Sequence, residues 1–406
     1  MLTSNRRRIA VVSPFLDKQH GTERCVAEQV ERLAGDYEVH VYSNRVEDID
    51  LSRIVWHRVP PLPGPHLFAY GWWLMANHWR RWWDRRFGGL RFDLTYTPGI
   101  NCFDADVISV HIVFAEFFRQ VRNTLKFHAN PVRSWPQLLH RRIYYRLVIA
   151  LERWVYGGRR ALLTVVSARV ARDLKRYGRT ESQLAVIAHG VDGRRFNAEA
   201  RRKLRASARR ALDFEDGTLC LLLVGNDWKN KGLPCVLEAL GRLAGKPVRL
   251  LVVGRDIADP YRSTLTEHHL EERVAFLPPR PDVEFYYAAA DLYVGPSLQD
   301  AFGMPPLEAM ACGVPGIVSS QAGVSEIITE GVDGFILADP HDGGRLAELI
   351  ERLSTNPALR QKIGEAAAKT AEKYTWDRNA AQLKAIFEQV IERCAATRLS
   401  AVHETP

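Results

Sequence analysis

The stretch LCLLLVGNDWKNKGLPCVLEAL, residues 219–240, decides the architecture. Leu219–Val224 form an unbroken apolar run, as a strand buried on both faces requires, and from Gly232 onward the pattern is helical. Asn226, Asp227, Trp228, Lys229, Asn230 and Lys231 lie between the two. That order puts the polar loop at the carboxyl edge of a parallel sheet, where open α/β sheets bind ligands. Lys229 and Lys231 stand at a helix start, where a cation opposes the local dipole and asks for a compensating anion such as a diphosphate. Lysines that are merely solvated are the plainer alternative.

The same alternation continues in VRLLVVG (248–254), RVAFLP (273–278), DLYVGP (291–296) and GIVSS (316–320). Upstream it appears in RIAVVS (8–13), YEVHVYS (37–43), IVWHRV (54–59), DLTYT (93–97), DVISV (106–110), LLTVVS (162–167) and LAVIA (184–188). Between the first two of these, GTERCVAEQVERLA places Val26, Val30, Leu33 and Ala34 on one helical face. Strands alternating with helices predict an α/β chain of two doubly wound, Rossmann-like domains facing a cleft. The Arg-rich stretch 190–217 has no β-rich core and reads as the crossing between them. The expected divisions are 1–196, 197–375 and a helix and tail, 376–406, that returns to the first domain.

A chain of 406 residues exceeds what one core usually supports, in agreement with two domains. No apolar run is long enough to span a bilayer, and the basic start MLTSNRRRIAVVS leads only to a short apolar stretch ending at Pro14, so neither signal peptide nor membrane span is expected. Cysteines 25, 102, 220, 235, 312 and 394 contain no C-x-x-C, which suits a reduced, cytoplasmic protein without a zinc site. Net charge is +13 over residues 1–196 and −4 over the remainder, so the first half attracts polyanions.

DAFGMPPLEAMACGVP, residues 300–315, carries the second candidate site. Pro305 and Pro306 set the first turn of a helix that Gly313 ends, which leaves Asp300 in the preceding loop and Glu308 in the helix. The N–H groups of Phe302, Gly303 and Met304 can converge on an oxygen-rich ligand, and carboxylates accept hydrogen bonds from hydroxyls. Together they suit a sugar joined to a nucleoside diphosphate; an ordinary loop acid and a favourable helical acid are the alternative. Gly21, opening the first helix after a strand and loop, reads equally as a helix start or a phosphate contact. His111 follows DVISV at a strand's carboxyl end. Asp104-Ala-Asp106 has the D-x-D form of a metal motif, but it begins a strand and is too short to count as one.

DAFGMPPLEAMACGVPGIVSSQAGVSEIITEGVDGFIL resembles the signature of family 4 retaining glycosyltransferases of GT-B fold, with two acids separated by seven residues. GTERCVAEQVERLA, VIAHGVDGRRFN, GNDWKNKGLPCVLEAL and YYAAADLYVGPS match family blocks in order, so the resemblance spans nearly the whole chain. It implies that Glu308 grips the donor ribose and that Asp300, where the family has glutamate, faces the donor sugar. It implies that Lys231 holds the diphosphate, with Asn226 and Asn230 at the candidate positions of the usual arginine and Lys229 as the substitute charge. It further implies that Arg280 flanks the nucleobase and that His111 positions the sugar. The donor would be a nucleoside diphosphate sugar such as UDP-glucose or GDP-mannose, used without metal or other cofactor, and anomeric configuration would be retained.

On the acceptor side, residues 72–83 hold five tryptophans interleaved with arginines, and residues 111–160 carry a net charge of +8. Such a helix suits an anionic bilayer interface; a half-buried covering helix with a solvated basic side is the alternative. The same residues would suit a nucleic-acid-binding protein, a reading that leaves the second-domain loops unexplained. A looser resemblance is to glucosyltransferases of lipopolysaccharide core assembly. It implies a glycan or glycolipid acceptor, a peripheral place on the inner membrane face, and no nucleic-acid partner.

Overall fold

The computed structural model describes residues 6–19, 21–121, 135–158, 160–180 and 183–403. The chain forms two compact units: one runs to Ala188 and resumes at Asp377, the other comprises His189–Trp376.

Short β-branched and leucine runs give the first unit its strands: β1 (Arg8–Val12), β2 (Phe15–Leu16), β3 (Glu38–Ser43), β4 (Arg45–Val46), β5 (Val55–Arg58), β6 (Leu94–Pro98), β7 (Val107–Val110), β8 (Leu162–Val165) and β9 (Leu184–Val186). Seven of them form one parallel sheet in the order β5-β3-β1-β6-β7-β8-β9, while β2 and β4 make a separate short pair that the sequence did not signal. Ile9, Val11, Val39, Val41, Leu94, Tyr96 and Val107 are core residues here. Leu383, Phe387, Val390 and Ile391 of the helix Trp376–His403 join that core, so the expected return of the C-terminal helix is present.

In the second unit β10 (Leu219–Val224), β11 (Val248–Val253), β12 (Val274–Leu277), β13 (Leu292–Gly295), β14 (Gly316–Ser319) and β15 (Phe335–Leu337) form a parallel sheet in the order β12-β11-β10-β13-β14-β15. The three-residue β15 escaped the sequence reading because GFIL is too short to show a period. Strand order reverses direction between β10 and β13, which are neighbours. At such a switch point successive crossovers leave in opposite directions and open a crevice outside the carboxyl ends of the strands.

One expectation is corrected. The Arg-rich stretch 190–217 is not a crossing, because the chain passes from one unit to the other between Ala188 and His189. Residues Ala198–Ala211 form a helix capped by Asn197, whose Oδ1 accepts the Ala200 N–H at 2.7 Å. Its arginines are internal ties: Arg205 and Arg209 reach Asp291 at 2.6 and 3.1 Å, and Arg205 also donates to the carbonyls of Ala288, Ala289 and Ala290.

Candidate functional site

The loop after β10 is shaped by backbone that few side chains tolerate. Gly225 has φ of +140° and Gly232, which caps the following helix Leu233–Arg242, has φ of +83°. A Cβ on Gly225 would lie 2.9 Å from Lys231 Cε, so the missing side chain is what lets the lysine stem lie across the loop. A Cβ on Gly232 would meet the Pro296 carbonyl oxygen at 2.1 Å, which shows how closely this loop abuts the end of β13. Trp228 anchors it from beneath, buried against Phe276 with ring centroids 5.0 Å apart.

The loop after β13 is sewn to its neighbours. Asn230 donates through Nδ2 to the Gln299 carbonyl at 2.9 Å and accepts the Leu298 N–H at 2.7 Å, while Asp300 N–H donates to the Gln321 carbonyl at 3.1 Å. Gly303, at φ +96°, then turns the chain into the helix Met304–Ala311. Among the described residues no backbone acceptor is assigned to the N–H groups of Phe302, Gly303 and Met304, which sit at the start of this helix.

Lys231 Nζ stands 2.5 Å from Asp300 Oδ2, and both side chains are less than a fifth exposed. Two groups expected to serve separate parts of a ligand are therefore an ion pair. The Asp300 carboxylate also lies close to Gly303, 3.5 Å from where that residue's Cβ would be. Glu308 is buried, and Tyr287 donates its hydroxyl to Glu308 Oε2 at 2.8 Å. Burial, then Glu308, pushes the Tyr287 phenol well above its ordinary range, so it remains a donor. Sequence reasoning missed Tyr287; a lone aromatic on an apolar helical face carries no signal for the contact.

The remaining expected residues are placed as follows. Asn226 is exposed and accepts the Arg255 N–H at 2.9 Å, and Lys229 is exposed. Arg280, beyond the edge strand β12, is held by both oxygens of Asp282 at 2.9 Å and lies over the Phe285 ring. Gly21 and His111 belong to the first unit: Gly21 opens the helix Gly21–Leu33, and His111 is buried just past β7 with Nε2 3.0 Å from Ser109 Oγ. Asp104 makes a two-pronged pair with Arg81 at 2.6 and 2.8 Å, and Asp106 accepts the Thr95 N–H at 2.8 Å, so both acids of the D-x-D hold protein groups.

Residues 205–370 match the model of glycosyl transferases group 1, and residues 20–195 match that of Glycosyltransferase Family 4. The chain is a family 4 glycosyltransferase. This glycosyltransferase is 29% identical over 263 residues to the D-inositol 3-phosphate glycosyltransferase of Pseudarthrobacter chlorophenolicus, across 63% of the chain and 61% of the relative. It thus spans less than two thirds of that relative's length. Among solved structures it is similar to WaaG, a glycosyltransferase involved in lipopolysaccharide biosynthesis, with a TM-score of 0.74 at 20% identity over 93% of this chain and 99% of that one. Anabaena HepE in complex with UDP-glucose gives 0.67 at 18% identity over 96% and 99%. At these identities the likeness is one of fold, two Rossmann-like halves of the GT-B kind.

The glycosyltransferase carries a second unusual surface in its first unit, on the helix His66–Arg86. The face turned inward is largely polar: Asn77, Arg81 and Asp84 are buried with Trp73 and Leu74. Arg81 pairs with Asp104, and Asp84 accepts from Tyr42 at 3.0 Å and faces His57 Nδ1 at 2.9 Å. Trp79, Trp82, Trp83 and Phe87 are exposed and touch one another edge to face or tilted. The usual amphipathic order is inverted, with ion pairs inside and indole rings outside.

Proposed function

We propose that this glycosyltransferase moves a hexose from a nucleoside diphosphate sugar to a glycan or lipid-linked acceptor of the cell envelope, with retention, at the inner face of the cytoplasmic membrane. The observation that carries the donor reading is the Lys231–Asp300 pair, which joins the loops after β10 and β13 at the switch point, with Gly303 against Asp300 and Glu308 buried in the helix that follows. The bond between the anomeric carbon and the diphosphate oxygen breaks, and positive groups fixed where that charge develops lower the barrier. Lys231 and the loop donors face the diphosphate, Glu308, oriented by Tyr287, accepts from the ribose, and Asp300 accepts from a sugar hydroxyl. The acceptor oxygen bonds to the same face of the anomeric carbon while its proton passes to the departing phosphate oxygen. His111 is assigned a sugar hydroxyl on the family resemblance, and no metal is assigned a role. HepE was solved with UDP-glucose and with UDP and glucose, which supports a donor of this class.

A donor panel followed by nucleotide release tests the reading. Lys231→Ala and Glu308→Ala are each expected to lower turnover about a hundredfold while melting as wild type does. Near-normal rates in both would show the donor misplaced.

The membrane reading rests on the inverted helix. Its exposed tryptophans, and Trp135, Leu139, Ile143, Leu147 and Trp154 exposed along the helix Trp135–Gly157, suit headgroup depth, with arginines for anionic lipid. No helix among the described residues is long and apolar enough to cross a membrane. Flotation with anionic vesicles at low salt is expected and should be lost in Trp79→Ser/Trp82→Ser; a protein left in the soluble fraction overturns it.

A further inference from the structure

We propose that the second unit carries a binding site for a small phosphorylated anion, of the size of a nucleotide or a sugar phosphate, at the amino edge of its sheet and apart from the donor site.

The helix Ala198–Ala211 sets Arg202, Arg205, Ala206 and Arg209 on one face, because residues three, four and seven apart share a side. These four line a cavity of about 680 Å³. Lys246, in the turn before β11, and Arg360, in the first turns of the helix Pro357–Ala371, line it as well. So do Leu219 and Val248, the paired first residues of β10 and β11, which fixes the cavity at the amino ends of the strands. β10 is six residues long, so about 20 Å of strand separates this edge from the loop that carries Lys231.

Charge in the cavity is unbalanced. Its lining holds five cations against two carboxylates, Asp216 and Asp291, although residues 197–406 as a whole are net negative. Asp291 is shared by Arg205 and Arg209 at 2.6 and 3.1 Å, which leaves that group one positive charge in excess. Lys246 has the half-exposed Glu351 at 2.9 Å, a pair that water screens. Arg360 donates Nη1 to the Leu353 carbonyl at 2.5 Å, and Glu199, the acid whose charge Arg202 feels, pairs with Lys203 at 2.6 Å. Among the described residues no carboxylate lies within ion-pair distance of Arg202 or Arg360.

Arginines stacked along one helix face repel each other, so an anion before them relieves a cost and adds hydrogen bonds together. Guanidinium forks match phosphate oxygens two at a time. Arg205 and Arg209 are already ordered by Asp291 and by the carbonyls of residues 288–290, and Ala206 between them leaves space that a longer side chain would fill. Pro357, at the start of its helix, brings the positive end of a dipole to the same cavity. A halide would leave most of the volume empty, whereas a nucleotide or a sugar phosphate suits it.

Titration calorimetry of the full chain tests the site. The proposed donor site would also take pyrophosphate, so the titrations are made in Lys231→Ala. Inorganic pyrophosphate is expected to bind this variant, and adding Arg202→Ser or Arg360→Ser should weaken it about tenfold each. Lys203→Ser removes the same charge from the same helix but outside the cavity, and should leave the affinity as it was. ADP or glucose 6-phosphate is expected to bind more tightly than pyrophosphate, and the tighter of the two names the source of the phosphate. No binding to Lys231→Ala, or an affinity that Arg202→Ser leaves unchanged, overturns the site. An equal loss in Lys203→Ser does the same, since it would mark general charge attraction, and pyrophosphate binding more tightly than both larger probes overturns the size of the ligand. Arg202 is exposed, so its replacement keeps the test open even if Arg360→Ser fails to fold. None of these titrations needs turnover: a chain that transfers no sugar sinks the proposed function and leaves this site standing.

Discussion

The ion pair of Lys231 and Asp300 sets a competition for the donor that we propose binds there. A diphosphate must share the ammonium with a carboxylate whose short arm already reaches it, and the carboxylate repels the phosphates it sits beside. Asp300→Asn removes that competitor while keeping the shape. Free nucleoside diphosphate is therefore expected to bind about tenfold more tightly to this variant by calorimetry, whereas sugar transfer falls because a hydroxyl acceptor is lost. Asp104 illustrates the same physics in a structural role. Burial works against its charge, but hydrogen bonds from His78 and Arg81 outweigh it and hold the carboxyl well below the usual carboxylate range. A depressed folded value stabilises above the unfolded value of about 3.9 and is lost as the pH falls below it. Asp104→Asn should thus cost about 2 kcal/mol near neutrality, a modest figure because the carboxylate is 45% exposed, and that cost should shrink below about pH 4 in urea titrations.

Among the elements, the strands of both sheets except β15 were legible because short apolar runs between polar loops leave few alternatives, and their observed bounds differ by one or two residues from the expected ones. The helix Ala198–Ala211 was legible only as part of an Arg-rich crossing. Its abundant arginines look solvated in sequence, and only the fold shows that Arg205 and Arg209 close on Asp291, which also accepts the Cys220 N–H at 2.9 Å. Asp291→Ala would strand two partly buried guanidinium groups, and we expect it to destabilise the second unit by about 3 kcal/mol in urea unfolding. The site followed the same division. That Lys231, Asp300 and Glu308 lie on the two loops and the helix at the carboxyl edge of the sheet was readable from turn chemistry, whereas the hydrogen bond from Tyr287 to Glu308 is a contact that only the fold makes. The inward ion pairs of the helix His66–Arg86 were hidden for that reason too: Trp and Arg spacing says nothing about which face a neighbour covers.

For the whole molecule, the division into two units is uneven in a telling way: the second is one continuous segment, the first two pieces. Phe387 shows what the second piece contributes, being fully buried with its ring 5.3 Å from Tyr96 and 6.2 Å from Tyr37. Phe387→Ala is expected to cost the first unit about 3–4 kcal/mol and to separate a single melting transition into two, with the second unit's transition in place. Calorimetry reads both. The return helix also reverses the usual relation between birth order and completion. As the nascent chain leaves the ribosome, residues 189–376 have everything they need to finish folding, while the earlier-made segment waits with Ile9, Val39 and Tyr96 uncovered until the last helix emerges. That interval exposes the N-terminal sheet to chaperones and to its neighbours on a polysome, and a premature stop after Trp376 would make the exposure permanent.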